Sequence, residues 1–217
     1  MISVKNKKRK VQDVPIFLDR QLFKELEQFI NAPTWPYKTN REEYWLRDQA
    51  LISILILTGV RVTEALNLRK LQFRSYEDHI LLANVETKKK GLIRKKIILP
   101  LKGNFAPFTR KFSEWLQKIP NENCFIFPSG GIHGFNWKSK LSRQRAHWII
   151  KTATQRFPHW FRGVCETVYG RLIFQNDAWK LKEFMGLKNL DSTTPYVGGS
   201  WEEDEKRIFE LQLQKRK

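Results

Sequence analysis

Hydrophobic positions in the first part of the chain recur with a helical period. Behind Asp19, a favourable N-cap, apolar residues three and four positions apart predict an amphipathic helix: Leu22, Leu26, Phe29 and Ile30. Asn40 then caps a second helix, with Glu43 three residues on as in a capping box. This second helix is apolar on nearly every side up to Gly59, so we expect it to lie buried at the centre of the fold.

The period changes after a further short helix that follows this glycine. Two β-rich runs, 80–85 and 93–99, flank a basic turn that contains Gly91, which predicts an antiparallel hairpin. A loop is predicted at Gly130 and Gly131. Helical patterns occupy most of the remaining chain: 107–119, 139–157, 159–176 and 177–187. Together these patterns predict a mainly α fold with a small antiparallel β-hairpin or sheet, an α+β class.

The charge of the chain favours a polyanionic partner. Forty lysines and arginines against 22 acidic residues give a net charge of +18, which points first to nucleic acid. A surface that serves only solubility and a basic ribosome-associated protein are the alternatives. The run Lys7, Lys8, Arg9 and Lys10 predicts a basic flexible arm over residues 1–13 that tracks DNA, with a nuclear-import patch as the other interpretation.

The apolar runs and the cysteines indicate which classes of protein are excluded: membrane-spanning, secreted and metal-binding ones. The longest uncharged stretch in the first half, 49–60, is too short to cross a bilayer, and no signal peptide follows the basic start. We therefore expect no membrane partner and an intracellular protein, in the cytoplasm or nucleoid of its host, with the nucleus left open. Cys124 and Cys165 stand apart from each other and from ligand-like histidine spacings, so we expect two reduced, buried thiols and no metal site.

Polar residues interrupt this pattern at positions that could carry chemistry. Arg61 stands at the junction of two largely apolar helices, where a cation is unfavourable unless it meets an anion. His159 and Arg162 are one helical turn apart and share a face. Tyr196 lies between a proline and two glycines. The structural alternatives are an Arg61 held by Glu64, a chance HxxR and an exposed turn tyrosine.

The order of these residues along the chain, and the segments around them, resemble those of a known protein family. LISILILTGVRVTEALNL resembles the first arginine box of the tyrosine recombinase and phage integrase family, with Arg61 as the catalytic arginine and Glu64 as its acidic companion. PHWFRGVCETVYGRLIF resembles the second box, with His159 and Arg162, and FMGLKNLDSTTPYVGG the terminal box, with Tyr196 as nucleophile. The resemblance covers residues 14–199 and implies the catalytic domain of that family, with its DNA breaking-rejoining fold.

The sequence matches the family pattern less closely at two places, the lysine-rich hairpin and Leu187. The hairpin resembles the one that carries the family's catalytic lysine; Lys88 is favoured, Lys90 is the alternative, and Lys89 points to the other face, where it can contact DNA. Leu187 stands where the family usually has histidine or tryptophan, and leucine cannot donate a hydrogen bond. Lys188 is a candidate substitute, and we expect cleavage to be slowed rather than absent.

The resemblance implies a function as well as a fold. Tyr196 would attack a phosphodiester of double-stranded DNA to give a 3′-phosphotyrosyl link, with no metal or nucleotide cofactor, and a partner strand's hydroxyl would reverse it. The setting would be integration or excision of a mobile element such as a virus or plasmid. Relaxation of DNA like a type IB topoisomerase, or DNA binding without catalysis, are the alternatives.

Assembly and further DNA contacts complete these expectations. Arg143 and Arg145 are expected to contact DNA together with the basic arm. The tail over 200–217 has a helical, charge-rich composition. It is expected either to dock on a neighbouring protomer, in a dimer or tetramer assembled on DNA, or to remain a solvated helix.

Overall fold

A long apolar helix organises the fold. The computed structural model describes residues 20–31, 42–86, 93–131, 133–187 and 189–193. In it, α2 (Glu42–Thr58) is buried at every position from Ala50 onward and packs against helices on several sides. Such a helix has no solvent face, which explains why its sequence is apolar all round. The remaining helices are α1 (Arg20–Asn31), α3 (Val62–Ala65), α4 (Ala106–Lys118), α5 (Arg143–Thr154), α6 (Pro158–Val168) and α7 (Ala178–Met185).

The predicted hairpin is confirmed and belongs to a three-stranded antiparallel sheet. The strands are β1 (Phe73–Ser75), β2 (His79–Glu86) and β3 (Ile93–Pro100), in that order across the sheet. Ile80 pairs with Leu99 and Leu82 with Ile97, and all four side chains are buried. Their alternation with less buried neighbours places one face of the sheet on the core.

A second hairpin replaces the loop predicted at Gly130 and Gly131. β4 (Pro128–Gly131) pairs antiparallel with β5 (Gly134–Lys140), so the prediction of a helix from residue 139 was also wrong at its start. That helix, α5, begins after Ser142, whose Oγ accepts a hydrogen bond from the Arg145 main-chain N–H at 3.1 Å. Ser142 is thus the N-cap, and the four residues before it belong to the end of β5 and its exit.

Long-range contacts hold this second hairpin in place. The Tyr44 hydroxyl donates to the Gly131 carbonyl at 2.8 Å, and Arg47 Nη1 donates to the Pro128 carbonyl at 3.1 Å. The Tyr44 ring also lies 4.6 Å from the Phe135 ring. The hairpin is therefore fastened to α2 by partners that are far away in sequence.

The architecture confirms the predicted fold class, mainly α with small antiparallel sheets. Both cysteines are free and buried, as expected. None of the described helices combines the length and the apolar character needed to cross a membrane. Within the same residues, no group of three or more histidine, cysteine or acidic side chains is arranged to hold a metal ion.

Candidate active site

Residues distant in sequence meet in one cleft between α3, α5 and α6. The cleft has a volume of about 250 Å³. It collects four of the residues proposed from sequence, which are separated by up to about a hundred positions. Its lining consists of Arg61, Val62, Thr63, Arg143, His147, Pro158, His159 and Arg162.

Arg61 is presented by a sharp turn at the end of α2. Gly59, just after the end of α2, takes φ +59°, and Arg61 two residues on is the N-cap of α3. Both oxygens of Glu64 accept hydrogen bonds from Arg61 at 2.8 Å, Oε2 from its main-chain N–H and Oε1 from Nη1. Glu64 is buried, whereas the Arg61 side chain is 37% exposed. Since a guanidinium has five N–H donors, this pair orients Arg61 and remains compatible with a phosphate contact.

Arg162 is anchored from three directions. Its Nε lies 2.9 Å from Glu166 Oε1, an ion pair one turn along α6, with both side chains at most 5% exposed. Its Nη1 donates to the Gly59 carbonyl at 2.8 Å, and its Nη2 donates to the Met185 carbonyl at 3.3 Å. Arg162 therefore joins α6 to the turn that presents Arg61 and to the end of α7, the helix that precedes the Tyr196 segment.

Two histidines approach the cleft from different helices. His159 is exposed at the first turn of α6, one turn before Arg162. His147 is partly buried on α5, one turn after Arg143. Burial lowers the pKa of His147, and the positive charge of Arg143 lowers it further. His147 is therefore largely a neutral imidazole at pH 7, with one N–H donor and one acceptor nitrogen.

Leu187 does not belong to this cleft. It is partly buried and packs against the small apolar cluster of Cys165, Tyr169, Leu181 and Met185. Arg145 is exposed on α5, with its guanidinium 4.2 Å from the centre of the Trp148 ring. Several sequence predictions lie outside the described residues: Lys7, Lys8, Arg9, Lys10, Lys88, Lys89, Lys90, Lys188, Tyr196 and the tail 200–217.

His147 and Glu166 are two residues of this region that the sequence interpretation missed. Each stands four positions after a residue of the proposed set, Arg143 and Arg162 respectively, so helical spacing alone places each pair on one face. This spacing was the sequence signal by which both residues could have been found. For His147 the spacing alone does not place the side chain at the cleft, because the direction in which α5 faces depends on its packing against α3 and α6.

Gly59 allows these elements to approach one another, and we expect Gly59→Ala to destabilise the fold strongly. A Cβ atom there would lie 2.8 Å from Cys165 Cβ and 2.9 Å from Met185 Cε, in addition to the positive φ. The left-handed backbone costs about 1–2 kcal/mol and overpacking about 1–3 kcal/mol more. Urea unfolding should therefore show a loss of about 2–5 kcal/mol.

Gly103→Ala is the matched control for this prediction. Gly103 also has a positive φ, +73°, but a Cβ atom there would meet nothing within 4 Å. It should show only the backbone part of the loss, about 1–2 kcal/mol. Equal losses in the two variants would refute the argument that close packing against α6 and α7 requires glycine at position 59.

Comparison with known proteins finds similarity in structure but not in sequence. No family model matches the sequence, and no curated protein is recognisably similar to it. Among solved structures, the chain is similar to the XerH site-specific recombinase bound to its difH substrate, with a TM-score of 0.59 and 20% identity over 89% of this chain and 53% of that one. It is also similar to the Tn1549 transposon integrase in complex with transposon right end DNA, with a TM-score of 0.58 and 14% identity over 90% and 65%.

A further similarity is to a lambda integrase dimer bound to a COC′ core site, with a TM-score of 0.52 and 12% identity over 83% of this chain and 58% of that one. The chain thus spans between about half and two thirds of the length of these proteins. All three are tyrosine recombinases. The chain therefore has the catalytic-domain fold of the tyrosine recombinases.

Proposed function

We propose that this chain is the catalytic domain of a site-specific recombinase or integrase, which cleaves and rejoins double-stranded DNA through a 3′-phosphotyrosyl link. The observation that carries the proposal is the meeting of Arg61, His159 and Arg162 in one cleft, each positioned by its own element. The catalytic-domain fold described above supports it, as does the net charge of +18.

The cleft suits the charge that develops on a phosphodiester under attack. The pentacoordinate intermediate carries additional negative charge on its non-bridging oxygens, and fixed arginine N–H groups stabilise that charge. Glu64 and Glu166 orient Arg61 and Arg162 before DNA arrives, so little reorganisation is needed during the reaction. His159, exposed at the cleft, adds a hydrogen-bond donor.

The proposed reaction is balanced without an external reagent. The Tyr196 oxygen forms a bond to phosphorus, the bond from phosphorus to the 5′ oxygen breaks, and the phenol proton is lost to solvent or to a neighbouring base. Lys88, with Lys90 as the alternative, protonates the departing 5′ oxygen. Attack by the 5′ hydroxyl of a partner strand on the phosphotyrosine reverses these steps and rejoins DNA.

Assembly on DNA and a mobile-element setting belong to the same proposal. One neighbour in structure is a DNA-bound dimer and another is a transposon integrase. We propose that this chain likewise assembles as a dimer or tetramer on DNA, with the tail 200–217 docking on a neighbouring protomer. The basic arm, Arg143 and Arg145 would then hold the DNA beside the cleft.

A covalent-adduct assay tests the proposed chemistry. Duplexes from a random pool are first selected for binding to the chain, and the selected duplexes are then nicked at successive positions so that the cleaved end is lost. We expect a protease-sensitive adduct on denaturing gels, with the DNA attached to the peptide that contains residue 196. Binding without an adduct at any nick position would indicate a non-catalytic DNA-binding module, and relaxation of a plasmid lacking the selected sequence would indicate a topoisomerase.

A further inference from the structure

We propose that His147 is a further catalytic residue, whose imidazole donates a hydrogen bond to a non-bridging oxygen of the DNA phosphate held between Arg61 and Arg162. This inference rests on the proposed function. It starts from the cleft itself, which His147 lines together with both arginines. Of the two imidazoles in that lining, only His159 had been expected there.

The packing of α5 fixes the direction in which His147 faces. Ala146, Ile149 and Ile150 are fully buried and hold one side of the helix on the core. Trp148 is 41% exposed, on the outer side. His147 lies between these two sides, on the edge that faces α3 and α6, and the Ser142 cap determines where the helix begins. Its place beside the phosphate position is therefore built into the core packing.

The charges around His147 favour a neutral donor at this place. The charged and titratable groups that line the cleft with it are Arg143 on the same helix, Arg61 at the N-cap of α3, and His159 and Arg162 on α6. A further permanent cation among them would be repelled, whereas a neutral imidazole adds an N–H donor without adding charge. The lowered pKa of His147 agrees with this role.

His147 would also supply a contact that the end of α7 cannot give. The Leu187 side chain has no hydrogen-bonding group, and it packs against an apolar cluster instead of lining the cleft. An imidazole on α5 reaches the same phosphate site from another wall. The donor that the terminal box lacks is thereby provided by a different element of the fold.

Single-turnover cleavage of the nicked duplex tests His147 directly. We expect His147→Ala to lower the cleavage rate about 10²-fold, the usual effect of removing one donor to a developing charge, while DNA affinity changes less than about threefold. His147→Asn, which keeps a donor, should recover part of the rate. The control is His79→Ala, because His79 is partly exposed on β2, stacked on Tyr76, and does not line the cleft; its rate should equal that of the wild type.

A duplex with a modified phosphate distinguishes a direct contact of His147 with the phosphate from a purely structural role of His147. Replacing one or the other non-bridging oxygen of this phosphate by a methyl group gives two stereoisomeric duplexes. In the stereoisomer that lacks the oxygen contacted by His147 the acceptor is gone, so His147→Ala should slow its cleavage no further. The other stereoisomer should keep the loss of about 10²-fold. Equal losses on both stereoisomers would overturn the contact, because a structural defect does not distinguish them.

The outcomes also separate this inference from the proposed function. An adduct with wild type, together with an unchanged rate for His147→Ala, refutes the role of His147 and leaves the proposed function standing. Absence of any adduct with wild type refutes the proposed function and the role of His147 with it. A stereoisomer-specific loss supports both.

Discussion

Tyr196→Phe is expected to abolish the covalent adduct while leaving DNA binding within about twofold of the wild type. The substitution removes only the phenol oxygen, the atom that would form the bond to phosphorus, and it keeps the ring. Electrophoretic mobility shift measures binding, and a denaturing gel of the nicked duplex measures the adduct. A residual adduct of wild-type yield would show that the nucleophile lies elsewhere.

The other tyrosines provide the controls for this prediction. The chain has five tyrosines. The Tyr44 hydroxyl donates to the Gly131 carbonyl at 2.8 Å, and the Tyr169 hydroxyl donates to the Leu57 carbonyl at 3.2 Å. Tyr76 is 48% exposed, and its ring is stacked on His79. Tyr76→Phe should therefore form the adduct normally. Loss of the adduct in both phenylalanine variants would point to a general defect rather than to a nucleophile.

Local patterns were sufficient wherever an element carries its own periodicity. The apolar run of α2 predicted a buried central helix. The two β-rich runs on either side of a basic, glycine-containing turn predicted the pairing of β2 with β3. The order of the polar residues was also informative. It indicated the family of folds to which Arg61, His159 and Arg162 belong before their positions in space were known.

Features that depend on distant partners could not be predicted in this way. β4 and β5 contain glycines and mostly exposed residues, so their sequence resembles a loop, and it is Tyr44 and Arg47 of α2 that fasten them. The anchors of Arg162 show the same limit. Glu166 is visible in the sequence as a neighbour one turn away, but the Gly59 carbonyl comes from the turn after α2 and the Met185 carbonyl from the end of α7. Main-chain acceptors leave no sequence signal, since every residue has one.

Arg162→Met is expected to damage both folding and cleavage, because Arg162 serves both. Removing the guanidinium breaks its buried ion pair with the Glu166 carboxylate and takes the donor from the Gly59 carbonyl. Breaking one side of a buried ion pair costs about 3–5 kcal/mol, measured here by urea unfolding. Cleavage of the nicked duplex should fall by at least about 10²–10³-fold through loss of a transition-state donor.

The double variant Arg162→Met, Glu166→Gln separates these two roles. With the carboxylate neutralised, the negative charge that Arg162 had balanced is no longer buried, so a large part of the lost stability should return. Cleavage should not return, because the phosphate still lacks the guanidinium. If the double variant regained wild-type cleavage along with its stability, Arg162 would be a purely structural residue, and the clamp on the phosphate would have to come from Arg61 and the other donors of the cleft.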